Sequence, residues 1–353
     1  MKSIEKEYTL FKNHKFPRTR YQGSKLKLIK WIESILKTIE FDSVLDAFSG
    51  TCSVSYSLKK MNKMVFCNDI LNFNYVIAKA LIENKNTQIS QKDFESVIEK
   101  KNSLNYKFFI RDTFKDIYYL DEENEWLDIV VQNILKISDK YKRSMLFWAL
   151  YQSCISKRPY NLFHRKNLYV RTSNVKRNFG NKTTWDKSFK SHMIKFLKEI
   201  NEAIFDNGHK NKVFNKDVFD LDVKPDLIYI DTPYIPSKGT LTNYRNFYHF
   251  LEGITDYHNW EEKIDFNSKH KKLYDKYNIW NDKRNIYNGF VKLIDKFNQS
   301  KILISYRGDG IPTIDELINI LKREGKKVRV EKIDYKYVLS RKNNLKEYLL
   351  IGE

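Results

Sequence analysis

The sequence has few of the residues that mark several common classes of protein. Its three cysteines, Cys52, Cys67 and Cys154, form no C-x-x-C pair and no zinc-finger spacing. So sparse and odd a set predicts reduced thiols in a cytoplasmic protein, not a disulfide framework. The seven histidines are scattered and lack a carboxylate or thiol partner at ligand spacing, so we expect no metal site.

Long apolar runs and flexible linkers are also missing. No stretch approaches the length that spans a membrane, and the first residues alternate charge with isolated apolar side chains, unlike a signal peptide. Eleven glycines and six prolines are dispersed, so no linker rich in either residue divides the chain. These absences predict a soluble protein of the bacterial cytoplasm.

The chain has a large excess of positive charge. Sixty-four Lys and Arg face 44 Asp and Glu, which gives a net charge of +20. Neutralising phosphates supplies most non-specific affinity for nucleic acids, so this excess favours a polyanionic partner. The alternative is a coding bias towards Lys and Asn that leaves only a solvated basic surface. A hydrophobic fraction of 41% is enough to build a packed core.

Two regions show strands alternating with helices. In the first, helically spaced apolar residues precede a strand at Ser43–Phe48, a helix at Thr51–Met61 and a strand at Met64–Cys67. The second, from about Lys212 onward, predicts strands at 226–230, 301–306, 327–333 and 346–351 and helices at 289–298 and 314–323. This alternation is typical of an α/β fold with a parallel sheet. The polar, basic, helical stretch between the regions predicts a division into 1–85 with 210–353, interrupted by an insertion at 86–209.

The first chemical motif lies at the carboxyl end of the predicted strand Ser43–Phe48, where Asp46 is the acid. Gly50 lies in the turn before the next helix, and Asp69 ends the following strand. Ligands of open α/β sheets bind at this edge, and a carboxylate there can accept hydrogen bonds from ribose hydroxyls. Because the loop lacks G-x-G-x-x-G and any basic residue for a pyrophosphate, a nucleoside cofactor without phosphate fits best. The alternative is an ordinary strand–turn–helix with a surface acid.

The second motif is Asp231-Thr232-Pro233-Tyr234, directly after the apolar strand Leu227–Ile230. The amino group of adenine is a poor nucleophile because its lone pair is delocalised into the ring. The Asp231 carboxylate and the Thr232 carbonyl, fixed by Pro233, could accept both amino hydrogens and direct the lone pair outward. The ring of Tyr234 offers a stacking surface for an extruded base. The alternative is a strand that ends in a common Asp-X-Pro turn.

Together these motifs resemble the Dam-like class of adenine-specific DNA methyltransferases, especially modification enzymes of type II restriction systems. The order matches that class: Arg20-Tyr21-Gln22-Gly23-Ser24-Lys25, then Phe48-Ser49-Gly50, then the helical stretch, then Asp231-Thr232-Pro233-Tyr234. The stretch Asn243–Phe250 is also similar to restriction-system members. Two positions depart from the class: Cys52 replaces the second glycine of F-x-G-x-G, and Thr232 replaces the first proline of the catalytic motif.

The resemblance implies a Rossmann-like sheet that binds S-adenosylmethionine, with a helical insertion that recognises DNA. It assigns Tyr21 and Lys25 to the methionine end of the donor, Asp69 to its ribose and Asp217 to its adenine. Asp46, Phe48, Ser49 and Gly50 line the donor loop. It also implies double-stranded DNA as substrate, a separately encoded cognate endonuclease, and chemistry that needs no metal.

The recognition segment, Lys157–Arg171, interleaves basic, aromatic and amide side chains. Lys and Arg can hold phosphates or read guanine, and Asn can pair with adenine. We therefore expect DNA contacts from Lys157, Arg158, Asn161, His164, Arg165, Lys166 and Arg171, extended by Arg177. The alternative is a basic surface loop whose aromatic rings pack underneath.

The sequence thus predicts site-specific methylation of the exocyclic N6 amino group of a flipped adenine in duplex DNA. Two other functions remain open at this stage. Related enzymes use the same catalytic tetrapeptide to methylate RNA or protein amides. A DNA-binding specificity subunit without catalytic activity would also be basic, but would show damage at Asp231 or in the donor loop.

Overall fold

The computed structural model describes residues 14–175, 182–237, 243–335 and 345–353. The chain divides into two compact units. The sheet unit comprises Lys25–Ile70, Gly208–Tyr244 and Lys276–Glu353, and the helical unit comprises 14–24, Leu71–Asn207 and Arg245–Asp275, each over its described residues. Over the described ranges, no helix is long and apolar enough to cross a membrane.

In its described residues, the sheet unit has nine strands. They are β1 (Ser43–Asp46), β2 (Met64–Asn68), β3 (Lys212–Phe214), β4 (Leu227–Ile230), β5 (Ile235–Pro236), β6 (Lys301–Arg307), β7 (Gly310–Ile311), β8 (Val328–Asp334) and β9 (Lys346–Gly352). Seven of them form one sheet in the order β3-β2-β1-β4-β6-β9-β8, and β5 pairs with β7. The five strands from β3 to β6 run parallel, whereas β9 is antiparallel to both β6 and β8. The predicted α/β fold with a mostly parallel sheet is confirmed.

Apolar residues place β1 and β4 in the middle of the sheet. All four residues of each strand are buried, as expected of a strand covered on both faces. The α-helices of this unit are Ile29–Leu36, Ser53–Lys60, Ile286–Lys296 and Ile314–Arg323, with 3-10 turns at Lys25–Leu28, Val218–Asp220 and Ile279–Asn281. The helix Ile314–Arg323 begins at a capping box in which Thr313 accepts the amide of Glu316. Its Leu317 and Ile320 join Phe290 in the core beneath the sheet.

The parallel strands bring several loops to one edge of the sheet. The turns after β1, β2, β3 and β4 all leave the carboxyl ends of neighbouring strands, where ligands of such sheets bind. Because β9 is antiparallel, its first residues lie at this same edge, with Glu347 paired to Arg307 at the end of β6. Residues as far apart in the sequence as Asp46 and Glu347 therefore lie at the same edge of the sheet.

The core of the helical unit contains many aromatic side chains packed between its helices. Its α-helices are Asn72–Ala78 (continued by a π-helical turn, Lys79–Glu83), Gln91–Ile98, Phe109–Thr113, Asp121–Leu135, Lys140–Ser156, Leu168–Thr172, Lys182–Asp186, Phe189–Ala203 and His249–Thr255. Two 3-10 turns, Tyr257–Asn259 and Glu261–Lys263, follow, and the helical turn Tyr244–Phe247 lies at the boundary of the two units in the chain. Trp148, Trp260 and Tyr118 are fully buried.

The division differs from the predicted one at three places. Residues 14–24 belong to the helical unit, although the sequence pattern assigned them to the sheet domain. The same is true of the helix Asn72–Ala78 and of residues 245–275, which contact each other. The cause is a tertiary contact: the Glu252 carboxylate accepts the backbone N–H groups of Asn72 and Phe73 at 3.1 Å each. Glu252 thereby caps the helix from 180 residues away in the chain, a contact that no local pattern shows.

Candidate active site

The acid of the second motif lies in a cluster of charged and hydroxyl groups at the sheet edge. Lys25 Nζ lies 2.7 Å from Asp231 Oδ1 and 2.5 Å from the Tyr234 hydroxyl. The Tyr234 hydroxyl in turn lies 2.8 Å from Asp231 Oδ1. The side chains of Lys25 and Asp231 are only 6% and 16% exposed. The structure therefore brings together Lys25 and Asp231, which are 206 residues apart in the sequence.

Glu347 completes this cluster and was missed by the sequence reasoning. Its carboxylate is fully buried, accepts hydrogen bonds from the hydroxyls of Ser305 at 2.6 Å and Tyr234 at 2.9 Å, and lies 3.5 Å from Lys25 Nζ. The signal in the sequence was an acid within the apolar strand β9. Side chains at every second residue of a strand point to the same face, so Glu347 shares a face with Leu349 and Ile351, which are both buried. A buried carboxylate needs such partners, because an unpaired charge away from water is strongly unfavourable.

The cluster raises the pKa values of both Asp231 and Lys25, for different reasons. Burial raises the pKa of Asp231 above its ordinary value; Lys25 opposes this shift and Glu347 adds to it. Burial alone would lower the pKa of Lys25, but the carboxylates of Asp231 and Glu347 raise it above the usual range. Lys25 is thus held as a cation next to Asp231. This geometry favours a role on Asp231 over the predicted one on the carboxylate of the donor.

A short two-stranded sheet fixes the chain directly after Asp231-Thr232-Pro233-Tyr234. Ile235 and Pro236 pair with Ile311 and Gly310 across β5 and β7. The ring of Tyr234 packs edge-on against Tyr306 at 5.3 Å. Thr232 is buried, and its side-chain hydroxyl has no hydrogen-bond partner within the described ranges. Pro233, which lies between Thr232 and Tyr234 in the sequence, is half-buried. The backbone of the tetrapeptide is therefore held from both ends.

The loop after β1 makes the turn that the glycine predicted. Gly50 has a φ of 49°, in the left-handed region, and its N–H donates to Asp69 Oδ2 at 2.9 Å. Cys52, which replaces the second glycine of the related pattern, also adopts a left-handed conformation with a φ of 63°. Side chains other than Asn and Asp rarely adopt it, so Cys52 retains the backbone of the glycine at some energetic cost.

Asp46 lies beneath this loop with one oxygen unsatisfied. Its Oδ2 accepts the hydroxyl of Ser55 at 2.5 Å, while Oδ1 is buried with no partner in the described part of the chain. Burial raises the pKa of Asp46 to about 7; Ser55 opposes the shift, and the charges of Asp231 and Asp69 add to it. Buried acceptors without a donor are rare in native proteins, which marks this oxygen as a candidate ligand contact. Ser49 Oγ is a second such atom in the same loop.

Asn68, at the end of β2, joins the loops that surround this region. Its side-chain amide donates to the carbonyls of Ala47 at 3.3 Å and Lys216 at 3.1 Å, and its Oδ1 accepts the N–H of Lys216. Asp217, the next residue, is exposed and caps the 3-10 turn Val218–Asp220 by accepting the N–H of Phe219. The loops after β1 and β3 are therefore fixed to the end of β2.

An aromatic group adjoins the same loops. Phe48 packs edge-on against Trp280 at 5.0 Å, and Phe219 stacks on the same indole at 5.9 Å with an interplanar angle of 19°. Trp280 was not among the predicted site residues, because nothing near it in the sequence resembles a motif. Planar side chains of this kind suit a planar ligand such as a purine.

Tyr21 belongs to the helical unit. Its ring stacks on Tyr248 at 4.6 Å with an interplanar angle of 6°, and the amide of Asn74 lies 3.4 Å from its hydroxyl. The half-buried Tyr21 ring is thus ordered by neighbours of its own unit. Its predicted contact with the donor stays a prediction.

The structure corrects three of the predicted DNA contacts. Lys157, Arg158 and Arg171 are 1%, 1% and 7% exposed. Lys157 and Arg171 both form ion pairs with Glu123, at 2.7 Å and 2.8 Å. The guanidinium of Arg158 lies over the rings of Tyr118 and Phe163 and donates to the Leu162 carbonyl. These charges stabilise the interior of the helical unit, so a phosphate cannot reach them in this conformation.

The other residues of the recognition segment remain accessible. Asn161, Arg165 and Lys166 are exposed, and His164 is half-buried beside Arg165, with Nε2 2.9 Å from the Arg165 Nε. Burial lowers the pKa of His164 to about 4, with the charges of Arg165 and Arg158 adding to the shift, so its ring is neutral at physiological pH. Arg177 lies outside the described residues. Within the described ranges, no group of three or more His, Cys, Asp or Glu is placed to hold a metal ion.

Comparisons with known proteins agree with this geometry. Residues 21–320 match the model of the family described as D12 class N6 adenine-specific DNA methyltransferase. The type II methyltransferase M2.HphI of Haemophilus parahaemolyticus is 31% identical over 95% of this chain and 96% of its own length. The modification methylase StsI of Streptococcus sanguinis and M.FokI of Planomicrobium okeanokoites are 29% and 27% identical, and this chain spans about half the length of each.

The match to the family covers most of the chain and includes all three motifs found in the sequence. The relatives are modification methylases of type II restriction systems, as the order of the motifs predicted. The chain therefore belongs to the D12 class of N6 adenine-specific DNA methyltransferases.

Proposed function

We propose that this methyltransferase uses Asp231 and the backbone carbonyl of Thr232 to activate the N6 amino group of an adenine flipped out of duplex DNA. S-adenosylmethionine is the methyl donor, and the enzyme serves as the modification part of a restriction–modification system. The observation that carries this proposal is the catalytic acid itself. Asp231 lies in the buried cluster at the carboxyl edge of the sheet, held by Lys25 and Tyr234.

The cluster prepares Asp231 for its role. As the two acceptors bind the amino hydrogens, the nitrogen lone pair leaves conjugation with the ring and can attack along the axis of the donor's methyl group. With the donor bound, an N–C bond would form as the bond from the methyl group to the sulfonium sulfur breaks, the electron pair of that bond would stay on the sulfur, and one amino proton would pass through the Asp231 carboxylate to solvent. Positive charge builds on the nitrogen during this step, so a fixed carboxylate stabilises the transition state more than the ground state. Lys25 holds that carboxylate in place through Oδ1.

The residues of the donor loop fit S-adenosylmethionine. The donor carries an ammonium group and a sulfonium, both cationic, and the loop from Asp46 to Thr51 contains one acid, Asp46, and no Lys or Arg. The unpartnered Asp46 Oδ1 and Ser49 Oγ can accept hydrogen bonds from the ligand. Asp69 at the end of β2 suits the ribose hydroxyls, and Phe48 with Trp280 suits the adenine. The group supplies the electrophilic methyl when bound.

The exposed part of the recognition segment supplies the contacts to DNA. Asn161, Arg165 and Lys166 combine one amide with two cations on an accessible surface. Cations position the phosphate backbone, and an amide can read a base edge. The buried Lys157, Arg158 and Arg171 support this surface from inside the unit.

The test is Asp231→Ala, measured by single-turnover methylation of DNA with radiolabelled donor. We expect donor affinity to change little and methyl transfer to fall at least a thousandfold, a loss of about 4 kcal/mol of transition-state stabilisation. Asp222→Ala, which removes an exposed acid from the same unit, is the matched control. Turnover within tenfold of the native enzyme would show that Asp231 is not the catalytic acceptor. Analysis of the product nucleoside would distinguish N6-methyladenine in DNA from methylation of RNA.

A further inference from the structure

A small hairpin projects from the helical unit after the catalytic motif in the sequence. Ile264 bridges to Leu273 in antiparallel fashion, and the N–H of Asp265 donates to the Lys272 carbonyl at 2.8 Å. The N–H of Tyr274 donates to the Lys263 carbonyl at 2.9 Å and closes the base. Ile264 and Leu273 are both buried, so this 264–273 hairpin is anchored at its base while its turn faces outward.

The hairpin is fixed beside the recognition segment. The buried hydroxyl of Tyr118 lies 2.6 Å from the carbonyl oxygen of Phe163 and 3.1 Å from that of His270. His249 strengthens this junction, because its Nε2 lies 2.8 Å from the same hydroxyl and its ring contacts that of His270 at 5.5 Å. Two segments separated by about a hundred residues therefore meet at one buried tyrosine.

In the described part of the helical unit, the exposed Tyr and Phe side chains lie in these two segments or directly after the hairpin. In the described part of that unit, four are exposed: Tyr160 and Tyr169 at 42% and 67%, and Phe266 and Tyr274 at 47% and 57%. Exposure of apolar rings to water is unfavourable, so four such rings in two segments that meet at Tyr118 indicate an interaction surface.

The charge of the hairpin decides which partner this surface fits. Lys269, Lys271 and Lys272 lie within four residues, and Lys269 is exposed. Lys271 Nζ donates to the Phe266 carbonyl at 2.7 Å and lies 5.4 Å from the centre of the Phe266 ring, so the cation and the ring are held together. Lys272 is paired with Asp275 at 2.7 Å. Lysine is depleted at protein–protein interfaces, whereas lysine beside an exposed ring is what a phosphate backbone and a base require.

We propose that the 264–273 hairpin is a second DNA-contacting segment of this enzyme. Lys269 and Lys271 bind phosphates, and Phe266 packs against a base or sugar, next to the contacts of the recognition segment. This proposal rests on the proposed DNA contact by Asn161, Arg165 and Lys166. It adds to the DNA-contacting surface of the protein a segment that follows the Asp231–Tyr234 motif in the sequence.

The test measures the affinity of the full-length variants for a fluorescein-labelled duplex of mixed sequence between about 50 and about 200 mM salt. Lys269→Gln with Lys271→Gln should flatten the slope of log affinity against log salt by about two units. Phe266→Ala should weaken binding about 5- to 100-fold and leave the slope unchanged. The matched control is Lys190→Gln with Lys198→Gln, which removes the same charge from the exposed side of the helix Phe189–Ala203.

The outcomes separate this proposal from the one on which it rests. Native melting temperature, native donor affinity and a native single-turnover rate at saturating DNA are expected for all of these variants. Arg165→Gln with Lys166→Gln tests the recognition segment separately, so either segment can fail while the other stands. If the hairpin lysines change the slope no more than the control pair and Phe266→Ala binds normally, the hairpin proposal is overturned. An effect of the lysines alone would overturn the packing of Phe266.

Discussion

The buried cluster around Asp231 predicts that two substitutions will move the pH dependence of methyl transfer in opposite directions. Lys25→Met removes the cation that lies 2.7 Å from Asp231 Oδ1, and Glu347→Gln removes the negative charge that lies 3.5 Å from the same cation. Lys25 lowers the pKa of Asp231 and Glu347 raises it. Loss of Lys25 should therefore raise the pKa of Asp231, and loss of the Glu347 charge should lower it.

The distances fix the order of magnitude. Coulomb's law with an effective dielectric constant of about 20 gives roughly 6 kcal/mol for opposite charges 2.7 Å apart, as an upper bound. An opposite charge in contact shifts the pKa of a carboxyl by about 1–3 units in practice. We therefore expect the acidic limb of the rate profile to move up by at least about one unit in Lys25→Met. In Glu347→Gln it should move down by about half to one unit, because the removed charge acts from further away.

The assay is single-turnover methylation at saturating donor and DNA over a range of pH, which reports the chemical step. Glu347→Gln keeps an acceptor for the hydroxyls of Ser305 and Tyr234, so its plateau rate should stay within about tenfold of the native rate. Lys25→Met leaves two carboxylates facing each other and should lose about 3–5 kcal/mol of stability. The double variant restores the native net charge of the cluster and should unfold at a higher temperature than Lys25→Met.

The result that refutes this reasoning is specific. If both single variants move the acidic limb in the same direction, or neither moves it, the charge of Asp231 does not limit the reaction. If Lys25→Met proves too unstable to assay, Glu347→Gln alone still decides, since a purely structural role of Glu347 would leave the pH profile in place. Unchanged donor affinity in both variants would also remove Lys25 from the donor site.

Three further predictions concern other parts of the molecule. The pKa of Asp46 is raised from 3.8 to about 7, so the folded state holds the proton of this carboxyl more tightly, and its stability falls as pH rises through that window. Asp46→Asn should therefore stabilise the free enzyme at pH 8 by up to roughly 4 kcal/mol and leave its stability unchanged near pH 4. It should also weaken donor binding, as calorimetry would measure. Cys52→Gly should change the free energy of unfolding by less than about 1 kcal/mol, because relief of the left-handed φ offsets the lost thiol packing, whereas Cys52→Val should destabilise by more than about 2 kcal/mol in urea titrations. Arg171→Gln breaks a buried ion pair with Glu123 and should lower the free energy of unfolding by about 2–3 kcal/mol without a specific change in the salt slope of DNA binding. Arg165→Gln should flatten that salt slope and leave stability unchanged. An Arg171 variant of native stability would contradict the structural role assigned to Arg171.

The order of local elements could be read from the sequence because each depends on neighbours in the chain. The helix predicted at Ile314–Arg323 has those same bounds in the structure, since Thr313 and Glu316 form its capping box within one turn. The strand predicted at 226–230 lacks only its first residue, because residue 226 is an Asp and the apolar run begins at Leu227. Leu227–Ile230 followed by Asp231-Thr232-Pro233-Tyr234 therefore determined where the catalytic motif stands, and the order of the motifs determined the family.

Contacts between distant segments decided what the individual side chains do. The basic residues of the recognition segment look alike in the sequence, yet Glu123 and the rings of Tyr118 and Phe163 draw Arg171 and Arg158 inside and leave Arg165 exposed. The sequence by itself determined the fold class, the motifs and the chemistry that they imply, because these follow from local spacing and apolar periodicity. Only the tertiary structure placed Glu347 beside Lys25 and the 264–273 hairpin beside Phe163, because burial and pairing of charge depend on which strands and loops meet.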